Sequence, residues 1–366
     1  MTVDRRALIV GAGCSLVGCS STGGNRPKPE PEPEALDRLL LAHAEALPER
    51  PGAGANHYPM AAEALCALGQ AGTIAPDWTS GAAGYAGDPA LTGRRPGTDG
   101  LGDPVRFGDW REHFRAALER DAWQAVVAEW APRLAPGLAG GAFHGLIRTG
   151  HATRALRERD TPARRGELAN GLAYWAARYT LLPIDTHLER LPRDPARALL
   201  ELPYPARDDL TDVDFFAVDV RLTQMPLAPP AELAEDPAGE LDALVQASAT
   251  AFLEWLVEER HRLWLLHTVT GPAAAGLILP ELERDGARLL VAHARQATLA
   301  LHNAFGAPFQ PRAHLRPAPP DWSELVTHAA ASRSVHTVKL LEVLRRHDTG
   351  SDPLPRSVAV HWLEWV

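Results

Sequence analysis

The chain has 366 residues, 45% of them hydrophobic and 23% charged, with a formal net charge of −9. That length can bury a large core, and Pro and Gly that cluster rather than recur exclude collagen-like and wholly disordered chains. The acidic balance gives no field to hold a polyanion, so nucleic acid is not an expected partner. Three Cys against 15 His move any metal site onto imidazoles.

In chain order, Met1–Gly18 begins with Arg5-Arg6 and continues into an apolar stretch from Ala7 to Gly18. Such a stretch of about 12 residues is too short to span a membrane as a helix but suits the core of a signal peptide. Leu16-Val17-Gly18-Cys19 resembles a bacterial lipobox, and the arginine pair resembles a twin-arginine export signal. A dinucleotide-binding turn over Ile9–Gly13 is the competing reading. It lacks the third Gly and is followed by Ser, Gly, Pro and Glu where a helix is needed. The expected organisation is therefore a signal peptide (1–18), an extended tether (19–35) and a helical domain (36–366). The protein is expected to be exported and lipid-anchored through Cys19 at the outer face of the bacterial cell membrane, or cytoplasmic if the lipobox is not processed.

Beyond Ala35 the apolar spacing is helical and no alternating strand series or βαβ punctuation appears, so the expected fold class is all-α: one large helical bundle with long irregular loops. Met60–Leu68 starts after Pro59 and ends at Gly69. Asp109-Trp110-Arg111-Glu112 reads as a capping box opening an apolar run that continues to Trp130 and stops at Pro132. Leu241–Leu266 reads as one long helix and Pro272 as the start of the next, through Leu279. Asp321-Trp322-Ser323-Glu324 caps a helix running to about Arg346. Two stretches, 75–103 and 183–237, are long loops whose few apolar residues favour ordered segments that cover a substrate.

Five histidines have small or apolar company. These are His57 in Asn56-His57-Tyr58-Pro59-Met60, His144 and His151 in Phe143–Ala152, His267 after Leu263-Trp264-Leu265-Leu266, and His336 in Val335–Leu341. The other ten mostly read as solvated or capping residues. His144 and His151 are seven apart, which returns them to within about 20° of one helical face at a rise of about 10.5 Å. Gly145 and Gly150 beside them lower helix stability by about 1 kcal/mol each relative to Ala, which points to close approach there. Helical bundles build metal sites from side chains projected inward by facing helices. Lys339, three residues after His336 and bracketed by apolar neighbours, reads either as a snorkelling lysine or as a desolvated amine able to capture CO₂ as a carbamate.

These motifs carry a resemblance. His57 with Pro59–Leu65, Phe143-His144-Gly145-Leu146-Ile147-Arg148-Thr149-Gly150-His151-Ala152, Leu266–Thr270 and His336–Leu340 resemble, in order, the questin oxidase-like family of helical oxygenases that open aromatic polyketide rings. The resemblance spans about residues 36–345. It implies a mononuclear non-haem Fe(II) held by His57, His144, His151 and His267 with a carbamylated Lys339, and O₂ as co-substrate. His336 is then a neighbour of the ligands or an alternative ligand, and Arg148 pairs with a substrate phenolate or orients a ligand. The implied reaction inserts O₂-derived oxygen into a small aromatic or quinone-type substrate with ring opening. Whether NADPH supplies electrons is not encoded in the residues. Phe107, Trp110, Trp264 and Phe305 are candidates for an aromatic pocket or for core. The competing functions are a metal-dependent hydrolase, to which His347-Asp348 points, and a non-catalytic tethered binding lipoprotein.

Overall fold

The computed structural model describes residues 32–366 apart from 53, 88, 95, 205–213, 230–233 and 259–260. The signal peptide, the lipobox with Cys19 and most of the tether lie outside the described residues. Fifteen α-helices, several short 3₁₀ turns and one two-stranded ribbon (β1, Glu49–Arg50; β2, Gly54–Ala55) make up the described regular structure, and 67% of the described residues are helical. The fold is all-α.

The first helices are α1 (Glu32–Ala42), α2 (Tyr58–Ala67) and α3 (Pro76–Ser80). The helical domain therefore begins a few residues earlier than the composition indicates. α2 forms where expected, with Pro59 in its first turn and Gly69 at φ +72° just past its end. Trp78 and Tyr85 anchor the 75–103 segment: both are buried, and the Tyr85 hydroxyl donates to the Ala55 carbonyl at 2.9 Å.

The run assigned to one helix after Asp109 is two, α4 (Phe107–Arg120) and α5 (Trp123–Leu134). Asp109 does not cap. It lies inside α4, where its carboxylate accepts from Thr92 and from Arg106 Nε, the latter at 2.6 Å. A short 3₁₀ turn capped by Asp103 starts the chain rotating before Asp109 is reached. Pro132 lies within the last turn of α5 rather than stopping it.

The antiparallel pair α6 (His144–Glu158) and α7 (Pro162–Ala177) forms the centre. A Cβ on Gly145 would sit 2.4 Å from the Trp175 Cα, and one on Gly150 would sit 2.7 Å from the Ala274 carbonyl. The glycines permit close approach, as expected, but the approaching groups are the backbones of neighbouring helices. After α8 (Pro195–Leu200) and α9 (Val218–Thr223), the long apolar run divides into α10 (Pro237–Glu258) and α11 (Arg262–Ile278). The break falls near His261, at φ +49°, and Pro272 is inside α11 rather than at a start. Just before Pro272, the Thr268 and Thr270 hydroxyls bond back to the carbonyls of Leu265 and Leu266. Arg262–Glu281 is long and apolar enough to cross a membrane, yet 72% of that window is buried among other helices.

α12 (Arg284–Phe305), α13 (Trp322–Ser332), α14 (Val335–Arg346) and α15 (Leu354–Trp365) complete the bundle. Asp321 caps α13 as expected, accepting from the Glu324 amide at 3.0 Å. The helix does not run on to Arg346: Arg333 is left-handed at φ +56° and Ser334 caps a new helix through the Thr337 amide. α2, α6, α11 and α14 pack as a closed ring, α2 on α6, α6 on α11, α11 on α14 and α14 on α2.

Candidate functional site

Each helix of that ring contributes a histidine. His57 is the N-cap of α2, His144 opens α6, His267 lies in the first half of α11, and His336 with Lys339 stands on the first turns of α14. The ring centroids of His57 and His144 are 4.8 Å apart, His57 and His336 4.3 Å, and His144 and His267 4.5 Å. His336 and His267 are 6.1 Å apart. Lys339 Nζ is 2.8 Å from His57 Nδ1. His144, His267 and Lys339 are fully buried, while His57 and His336 are half-buried and mark the side on which the cluster meets solvent.

His144 is positioned by three successive left-handed residues, Gly141, Ala142 and Phe143, at φ +55°, +51° and +68°. Two of them are fully buried non-glycines, a conformation that costs energy and persists only where surrounding contacts enforce it. The Gly141 amide donates to Asp219 at 2.7 Å, and the Gly141 carbonyl accepts from His144 Nδ1 at 2.5 Å. In α11, His267 Nδ1 donates to the Leu263 carbonyl at 2.6 Å.

These two bonds decide the tautomers. A carbonyl oxygen only accepts, so both Nδ1 atoms carry hydrogen and both Nε2 atoms carry lone pairs when the rings are neutral. Burial and the neighbouring cationic groups hold His57, His144 and His336 far below the ordinary histidine value, and burial brings His267 to about 3. The two bare Nε2 atoms nevertheless face each other at 3.2 Å. Two lone pairs at that distance repel unless a cation lies between them. Metal-bound imidazole nitrogens at about 2.0–2.1 Å lie about 2.9 Å apart at a right angle and about 3.4 Å apart at a tetrahedral angle. The observed separation falls between the two. Among the described residues no three His, Cys, Asp or Glu side chains already close on one point; the geometry offers one facing pair with two further imidazoles and an amine around it.

Among the described residues no carboxylate pairs with Lys339. Burial alone lowers its amine from the ordinary 10.5 to about 7, so near neutrality much of it is uncharged. The snorkelling alternative does not hold, since the side chain is 0% exposed.

His151, expected to share a metal with His144, is elsewhere. Its Nδ1 donates to Glu63 Oε2 at 2.5 Å, and no ring contact ties it to the other four histidines among the described residues. Glu63 also accepts from Arg154, which bridges to Glu342, and Arg346 closes the network on Glu342 at 3.0 Å. Returning to the same face does not suffice when the two residues are two turns apart and α2 places a carboxylate beside the second. Arg148 is held in a buried ion pair: Nε and Nη2 donate to Glu167 at 2.6 and 2.8 Å, while Nη1 has no hydrogen-bond partner among the described residues.

Of the ten histidines read as surface residues, His43 and His302 are fully buried. His43 bonds Asn56 and the Trp78 carbonyl, and His302 contacts Ser248 and Trp255. His347 and Asp348 do not act together: His347 pairs with Asp242 while Asp348 accepts from Trp322.

The aromatic candidates divide. Phe107 and Trp110 belong to the core around α4. Trp264 and Phe305 stack at 5.6 Å, and Phe215 stacks on Trp264 at 6.3 Å while its edge meets the His144 ring at 5.3 Å. The described part of the 183–237 segment therefore covers the cluster with Phe215. Glu63 and Phe215 received no role from the sequence. The signal for Glu63 is a carboxylate within the Ala-rich run Met60–Leu65, all of it buried.

No protein-family model matches the chain, and no curated protein matches it.

Proposed function

We propose that the protein is an oxygenase similar to the questin oxidase-like family, with one iron(II) held by His144 and His267 and completed by His57, His336 and a carbamate on Lys339. The observation that carries this reading is the pair of bare Nε2 atoms facing at 3.2 Å with both Nδ1 atoms tied to backbone carbonyls. His336 replaces His151 in the ligand set the motifs imply.

Neutral imidazoles suit Fe, Zn, Cu and Ni alike, and the family resemblance selects iron. When bound, iron(II) supplies the unpaired electrons that triplet O₂ needs to react with a closed-shell aromatic compound. The chain's own residues do the rest. The carbonyls of Gly141 and Leu263 set the ring orientation of His144 and His267, as hydrogen bonds to the far nitrogen do in metal sites generally. The uncharged amine of Lys339, hydrogen-bonded to His57 Nδ1 at 2.8 Å, attacks CO₂, forming an N–C bond and releasing one proton to water on the half-buried side of the cluster. The product is an anionic oxygen donor, which the histidines lack. Phe215, Trp264 and Phe305 exclude water on the covered side and supply a flat apolar surface for an electron-rich ring.

The test is elemental analysis of the purified protein with an O₂-uptake screen over quinones and polyphenols. Stoichiometric iron is expected in the wild type and in His151→Ala, and its loss in His267→Ala. Full iron in His267→Ala, or loss of iron in His151→Ala with the fold intact, overturns the ligand set. Zinc or manganese in place of iron favours a hydrolase, and no stoichiometric metal favours a binding protein.

A further inference from the structure

Beside Phe216, whose ring meets Phe215, lies a cavity of about 280 Å³. Its walls are rigid and apolar, formed by Pro48, Pro89, Pro104, Val105, Phe107 and Phe216. One edge is polar. Tyr174 donates to Glu49 Oε2 at 2.8 Å, Arg178 Nη1 is 3.6 Å from Glu49 Oε1, and Arg178 Nη2 is 3.1 Å from Asp219. The Arg178 side chain is 9% exposed, lines the cavity and leaves Nε without a hydrogen-bond partner. A buried guanidinium N–H without an acceptor is costly in a finished core and expected where a ligand supplies one.

The cavity borders the histidine cluster. Arg178 lies over the Phe215 ring at 5.6 Å and Phe216 meets the same ring at 5.4 Å, and Phe215 in turn contacts the His144 ring at 5.3 Å. Gly141, three residues before His144, leaves open the space where a Cβ would stand 3.5 Å from Arg178 Nε and 3.6 Å from the Tyr174 hydroxyl. The polar edge holds two carboxylates, Glu49 and Asp219, for one guanidinium, so it repels an added anion. A neutral hydroxyl meets the Arg178 Nε–H without adding charge: its oxygen accepts from Arg178 and its hydrogen is donated to Glu49, whose carboxylate can accept more than the Tyr174 bond.

We propose that this cavity is an organic-ligand site for a flat, neutral aromatic compound of one or two rings, bound by an edge hydroxyl between Glu49 and Arg178. The proposal rests on the oxygenase reading only for what becomes of the ligand once bound; the binding needs no metal.

The probe is 2-naphthol, titrated calorimetrically into the full chain, with 2-naphthoate as the anionic counterpart. Wild type and His267→Ala bind 2-naphthol equally. Ala90→Trp, placed at an exposed cavity-lining residue so that the added bulk enters the cavity rather than the core, weakens binding by at least about tenfold. Glu49→Gln, which keeps shape and removes the charge, weakens it about tenfold, the loss of one hydrogen bond to a charged group. Binding of 2-naphthoate is at least about tenfold weaker than that of 2-naphthol. No binding of 2-naphthol by wild type, unchanged binding in Ala90→Trp, or tighter binding of 2-naphthoate overturns the site. Unchanged 2-naphthol binding in a protein without iron or O₂ uptake overturns the oxygenase reading and leaves the site standing.

Discussion

Replacing Lys339 by Met should make the metal-free protein more stable while removing one ligand of the proposed metal site. The lysine is fully buried with only His57 as a polar partner among the described residues, and burial brings its amine to about 7 instead of 10.5. A folded value below the unfolded one means that the unfolded chain binds more protons between the two. The penalty is then full below pH 7, falls as pH rises, and is gone above pH 10.5. At about 1.36 kcal/mol per unit it is about 4 kcal/mol at pH 7 and about 2 kcal/mol at pH 9. Methionine fills similar volume without charge and forfeits one hydrogen bond, about 1 kcal/mol. Lys339→Met should therefore gain about 3 kcal/mol at pH 7 and about 1 kcal/mol at pH 9. Urea unfolding of both proteins in chelator and CO₂-depleted buffer at the two pH values measures this. A variant less stable than wild type at both, or a gain that grows with pH, would refute the account of Lys339 as an uncompensated buried amine. Stability yielded at one position in this way is the usual mark of a group kept for function.

Glu342 behaves oppositely: Arg154 and Arg346 outweigh its burial and hold its carboxyl at about 2 against an ordinary 4.5. Its contribution, about 3 kcal/mol, is present above pH 4.5 and lost as pH falls towards 2. Glu342→Gln should unfold more readily than wild type in urea at pH 7, with the two curves converging in acid; a gap that persists at pH 2 would contradict the ion network. At Gly145 the obstacle is the Trp175 backbone at 2.4 Å, so Gly145→Ala should lower stability by about 3 kcal/mol despite the better helix propensity of alanine. A urea midpoint equal to or above that of wild type would show that α6 and α7 can separate without cost.

The all-α class was legible because burial on one face imposes the 3.6-residue period wherever it occurs. The small and apolar company of His57, His144, His151, His267, His336 and Lys339 was legible too; which of them meet was not. Helix breaks were not legible. At Asp121, His261 and Arg333 the apolar period runs on across the break, and what ends each helix is how the next one packs. The Asp109 box failed for a related reason: a carboxylate takes the best donors available, and here these are Arg106, three residues before it, and Thr92, brought in from 17 residues upstream.

Local spacing determined which residues could share a helical face, and nothing more about the site. It grouped His144 with His151, whereas the fold brought Glu63 to His151 and carried His336 to His57, a separation of 279 positions in sequence closed to 4.3 Å between rings. Composition and periodicity sort residues by the cost of leaving water, a property each carries with it. Which nitrogen faces which depends on the relative placement of four helices, and that is decided by packing between segments far apart in the chain.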